Sequence, residues 1–148
     1  MMIEVLVSLS IIVVSILAAM SVTERSIAVS RQTLHITQAS FLLEEGAEIV
    51  RILRDDEWSN ISNLSVDTSY YPIFTNGDWS LSVTSTTVEN FTRTVVVSNV
   101  NRDATTSDIA PSGVNDPLTR LVTVTVSWNE GSQARSKTLQ FYIMDIFS

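Results

Sequence analysis

Met1–Val22 reads MMIEVLVSLSIIVVSILAAMSV. One carboxylate, Glu4, stands near its start, and no further charge follows until Glu24. Val5–Val22 holds only Val, Leu, Ile, Ala, Met and isolated serines, with no proline or glycine. At 1.5 Å per residue it forms a helix of roughly 27 Å, close to the ~30 Å hydrocarbon thickness of a bilayer. Ser8, Ser10, Ser15 and Ser21 are expected to bond back to helix carbonyls, which leaves the surface apolar. Residues 1–23 therefore read as a membrane or helix-bundle segment. Glu4 is the exception, because a carboxylate near the centre of a bilayer costs about 2.5 kcal/mol or more and marks a functional position.

The second part of the helix, residues 24–57, is amphipathic. Leu42, Gly46, Ile49, Val50 and Leu53 fall at i, i+4, i+7, i+8 and i+11, one face of a helix, while Glu44, Glu48, Arg51 and Asp55 fall opposite. Glu48 and Arg51 are spaced for an ion pair. Gly46 costs about 1 kcal/mol relative to alanine inside a helix, and its expected use is to let a strand approach. With no proline before Pro72, one helix from near Met2 to near Asp56 is predicted, roughly 80 Å long.

Beyond Trp58 the periodicity changes from helix to strand. Residues 59–76 read as an irregular connection around Pro72, with a turn at Asn76-Gly77-Asp78. Strands are predicted at 79–88, 91–100, 118–128 and 137–147 from alternation and β-branched content. In the third, Leu118, Arg120, Val122, Val124, Val126 and Trp128 share one parity. In the fourth, Leu139, Phe141 and Ile143 do, and Asn129–Ser132 links the two as a short hairpin. Residues 101–117 are polar and turn-rich and read as a long loop; Asp103, Asp108 and Asp116 lack the tight spacing of a hard-cation loop. The expected fold class is α+β: the helix on a roughly four-stranded antiparallel sheet in the β domain 58–148. Leu42, Gly46, Ile49, Val50, Leu53, Trp58 and Trp128 are the expected helix–sheet packing residues.

The chain has 148 residues, 9 Lys+Arg against 16 Asp+Glu, a net charge of −7 and no cysteine. That balance argues against nucleic acid and anionic lipid as partners, since phosphate recognition needs a basic patch. No disulfide or thiol chemistry is available. The single histidine, His35, has no cysteine to join it in a soft-metal site, and neither a nucleophile elbow nor a phosphate-cradling glycine loop is present. No catalytic, cofactor or metal site is expected, and the chain reads as a non-enzyme.

Two stretches carry a family resemblance. Ile3-Glu4-Val5-Leu6-Val7-Ser8-Leu9, then Ile11-Ile12, resembles the mature N-terminus of type IV pilins and type II secretion pseudopilins. Phe41–Trp58, with its Glu-Gly pair, spaced arginines and terminal tryptophan, is similar to minor pilins of the pilus-modification type and the I-type pseudopilin. Phe91-Thr-Arg93, Asp116-Pro117 and Val122–Trp128 fit the layout of the former. The family opens with a basic leader ending in glycine and an aromatic first residue. By the position of Glu4, both are expected to be missing from the sequence as given.

The resemblance implies a pilin-like fold and a structural subunit of a type IV pilus or of a secretion or competence pseudopilus. By the same resemblance, Glu4 accepts a neighbour's N-terminal ammonium, and Val5, Leu6, Leu9, Ile12 and Ile16 pack against neighbouring helices. The implied partners are other pilin-like subunits, an inner-membrane assembly platform and, where a precursor exists, a leader peptidase. The implied location is the bacterial inner membrane, with the β domain extracytoplasmic, and then the filament. Arg25 and Arg31 by themselves favour the opposite orientation; the resemblance is followed here. The alternative is a single-pass anchored extracytoplasmic binding or adaptor domain that does not polymerise.

Overall fold

The computed structural model describes residues 2–146. The protein is α+β, a long N-terminal helix whose second part packs on an antiparallel sheet. Helix α1 runs from Met2 to Asp56 without a break, and a one-turn helix α2 follows at Ser59–Ser62. The strands are β1 Ser69–Thr75, β2 Asp78–Ser82, β3 Thr87–Val88, β4 Phe91–Arg102, β5 Ile109–Ala110, β6 Val114–Glu130 and β7 Gln133–Met144. The chain divides into two compact units, Met1–Gln38 and Ala39–Ser148.

The sheet has seven strands rather than four, in the order β2-β1-β4-β6-β7, with β3 and β5 also paired to β4. One side of β4 carries β6 along its whole length. Its other side is shared by three short pieces: β3 at Phe91–Thr92, β1 at Val95–Val96 and β5 at Asn101–Arg102.

Three expected boundaries are corrected by this arrangement. The connection 59–76 contains α2 and β1, because β1 pairs with β4 only at Ser69 and Tyr70. Pro72 lies beyond that ladder, where its missing N–H breaks no bond to β4. The run 79–88 splits into β2 and β3. The supposed loop 101–117 is strand at both ends and in its middle: β4 reaches Arg102, β5 occupies Ile109–Ala110, and β6 begins at Val114, with loop only at 103–108 and 111–113.

Alternation explains the core. Phe91, Val95 and Val97 of β4 and Val122, Val124, Val126 and Trp128 of β6 are buried, while the intervening Thr and Ser residues are not. Burying each such valine contributes about 1.5–3 kcal/mol. Leu118 breaks the parity and is exposed, since the β4 register jumps from Arg120 opposite Asn99 to Asp116 opposite Val100. In β7, Ile143 is buried, Phe141 half-buried and Leu139 exposed at the sheet edge. Phe147, the end of the predicted fourth strand, lies outside the described residues. Asn76-Gly77 makes the two-residue turn between β1 and β2, with φ of 59° and 97°. Positive φ at both central residues is what a type I′ hairpin turn requires.

Candidate functional site

Two surfaces carry the residues singled out by the sequence. The first is the unit Met1–Gln38. Glu4, Val5, Leu6, Leu9, Ile12 and Ile16 are all exposed on α1, as is every described residue up to Arg31. Glu4, Val5, Leu9 and Ile12 line one shallow groove along the helix with Ser8 between them, while Ile16 belongs to another with Ala19 and Met20. Ser8 donates to the Glu4 carbonyl at 2.8 Å, Ser15 to Ile11 at 2.8 Å and Ser21 to Ala18 at 3.0 Å. Their hydroxyls are thereby bonded within the helix, leaving a surface of hydrocarbon.

This helix is long and apolar enough to cross a membrane, and none of its most apolar stretch is buried within the protein. It is compatible with a single-pass membrane anchor. A helix apolar on every side needs lipid or protein around it, because water offers nothing to offset the exposed hydrocarbon.

The second surface is the seam between Ala39–Asp56 and the sheet. Gly46, Ile49, Val50, Leu53 and Trp128 are buried there, whereas Leu42 and Trp58 are half-buried. Ala39, Leu43 and Ala47 complete the buried stripe. Its spacing of 39, 43, 46–47, 50 and 53 is that of a single helical face, rotated slightly from the one that includes Leu42. Gly46 has the expected use: a Cβ there would lie 2.8 Å from Val124 Cγ1 and 3.1 Å from Arg93 Cδ. Glu48 and Arg51 form the expected ion pair at 3.0 Å, and the Arg51 guanidinium also lies 5.4 Å from the Phe141 ring centroid. Trp128 stacks at a tilt on Phe91, with centroids 5.8 Å apart.

Sequence reasoning missed the role of Arg93. Its side chain is 4% exposed, yet it pairs with Glu45 at 2.5 Å, donates to the Leu42 carbonyl at 3.3 Å and lies 5.8 Å from the Trp79 ring centroid. The signal was present: an arginine on the buried parity of β4, between Phe91 and Val95, must reach a carboxylate. Glu45, beside the close-approach glycine, is the one it reaches.

Beyond the seam, Asp116 fastens the end of β6. Its carboxylate accepts from Arg102 Nε at 2.6 Å, Thr119 Oγ1 at 2.7 Å and the Leu118 amide at 2.9 Å. These donors hold its pKa down at about 2. Asp103 accepts from the amides of Thr105 and Thr106 at 2.7 and 2.9 Å, and those bonds lower its pKa as well. Among the described residues, no three His, Cys, Asp or Glu side chains gather as a metal ligand set.

Comparison of the chain with family models, with curated proteins and with solved structures finds no match.

Proposed function

We propose that the chain is a non-enzymatic structural subunit, a minor pilin or pseudopilin, held in the membrane by residues 1–23 and assembled through the same helix. The observation that carries this reading is the first part of α1, residues 2–22: an all-round apolar surface whose single acid is Glu4, in the same helix that enters the β domain. Leaving lipid is offset by helix–helix packing, for which Ser8, Ser10, Ala18 and Ala19 supply small contacts. In such a dry environment, Glu4 requires a cation, and a neighbour's N-terminal ammonium is the partner that the family resemblance gives it. Pairing of that kind fixes register, since a lone carboxylate there costs several kcal/mol.

The test is Glu4→Ala in the native host. The variant is expected to stay in the membrane fraction but to disappear from sheared filaments. Normal co-purification with filaments overturns the reading. The unit Ala39–Ser148 has a core of its own, and this favours the competing reading of an anchored binding or adaptor domain. Photocrosslinkers placed along Val5–Ala19 separate the two: adducts with other pilin-like chains support assembly, and adducts with lipid alone support the anchored domain.

A further inference from the structure

The outer face of the sheet, turned away from α1, carries no cation on β4, β6 or β7, and the carboxylate that meets it is that of Asp67, which accepts from Ser98 Oγ at 2.6 Å. Phe91–Asn99 of β4, Arg120–Trp128 of β6 and Arg135–Ile143 of β7 run side by side in register. Every charged residue in these stretches (Arg93, Arg120, Arg135 and Lys137) belongs to the parity of Val122, Val124 and Val126, the parity that packs on the helix. Strand alternation sends the remaining side chains to the opposite side. Those positions are Thr, Ser and Gln, with Val96, Leu121 and Tyr142 the only departures.

The hydroxyls and amides on this face are ordered across the strands. Thr94, Thr125 and Thr138 stand in one row, with Thr125 Oγ1 and Thr138 Oγ1 3.2 Å apart. In the next row Gln140 Nε2 donates to Thr123 Oγ1 at 3.0 Å. At one end the platform drops into a shallow depression of about 390 Å³, where Tyr142 and Leu121 meet Asn99, Asn101, Ile109 and Pro111. The Tyr142 side of this depression is open, the residue being 51% exposed. Among the described residues, no charged group lines it.

We propose that this face binds a neutral polysaccharide, with Tyr142 stacking on a sugar ring and the carboxamides and hydroxyls bonding to sugar hydroxyls. Three features select that ligand. The absence of cations gives a phosphate, a uronic acid or a nucleic acid no counter-charge. A surface of threonines and serines with a single aromatic on these three strands lacks the clustered anchors that hold a protein partner. A pyranose ring offers one apolar face and a rim of hydroxyls, which match an amphipathic tyrosine and an amide rim. This inference concerns the unit Ala39–Ser148 alone and does not depend on how the N-terminal helix is used.

The experiment uses the full chain in detergent micelles, sedimented with insoluble cellulose, chitin or starch and, for comparison, retained on an alginate resin. Retention on at least one neutral polymer and none on alginate is expected. Tyr142→Ala and Thr138→Lys should each weaken retention by tenfold or more, with circular dichroism unchanged, while Thr84→Lys, outside this face, should not. Absence of retention on all three neutral polymers overturns the proposal, as does equal retention of the Thr138→Lys variant. Loss of self-association in place of glycan retention in Thr138→Lys also overturns it, by assigning the face to contact between copies.

Discussion

The Glu45 carboxylate meets the Arg93 guanidinium at 2.5 Å, joining helix α1 to the centre of the sheet. Arg93 is buried and Glu45 about half-exposed, so the pair is asymmetric. Removing the carboxylate leaves a buried cation with the Leu42 carbonyl as its remaining hydrogen-bond acceptor among those described. Glu45→Gln is therefore expected to destabilise the β domain by about 1–3 kcal/mol, the cost of leaving a buried charged group under-satisfied. Arg93→Ala should cost more, because it also opens space beneath Trp79. A double-mutant cycle by urea unfolding in detergent checks this, and additive effects would deny the coupling.

Gly46→Ala pits helix propensity against packing. Alanine gains about 1 kcal/mol within a helix. Its methyl group, however, lands 2.8 Å from Val124 Cγ1, which is wholly buried. Overpacking of this kind costs about 1–3 kcal/mol, so the net change is expected to be destabilising. Val124→Ala in the same chain should recover part of the loss. Measured midpoints of chemical unfolding for the two single variants and the double variant decide it.

The helix and the long strands were legible because their patterns are uninterrupted: no proline precedes Pro72, and Val122–Trp128 alternates cleanly. The remaining strands depend on contacts that have no local sequence pattern. β1 holds a proline and borrows only two residues of β4. β5 exists because Arg102, bonded to both Asp116 and the Ser107 carbonyl, draws a polar segment against the end of β4. Composition marked that segment as loop; part of it is sheet, and the ion pair that closes its ends joins residues fourteen apart. Likewise Leu43 rather than Leu42 faces the core, since the helix phase is fixed by the Gly46–Val124 approach and not by periodicity alone.

That same ion pair gives a pH dependence with a definite sign. Asp116 is held at about 2 against an ordinary 3.8 by Arg102, Thr119 and the Leu118 amide. A depressed folded-state pKa contributes stability that is complete above the unfolded value and is lost as pH falls through the folded one. Asp116→Asn should thus be less stable than the parent at pH 6. The difference should shrink between about pH 4 and pH 2 and vanish below. Thermal unfolding at pH 6, 3.5 and 2 would show it; a constant gap across that range would mean the carboxylate's charge is irrelevant to the fold.

Membrane retention should depend on position along α1 in a way that marks where the anchor ends. A lysine at the centre of a spanning helix costs about 2.5–3.5 kcal/mol on insertion. Ile12→Lys places that charge in the middle of the apolar run and is expected to move much of the protein out of the membrane fraction. Ile27→Lys alters an equally exposed apolar residue of the same helix, but beyond Glu24 and Arg25, where charge is already present. It should leave retention unchanged. Fractionation of the two variants after alkaline extraction gives the comparison. Equal loss from both would extend the anchor past residue 23, and equal retention of both would mean that something other than lipid already surrounds Ile12.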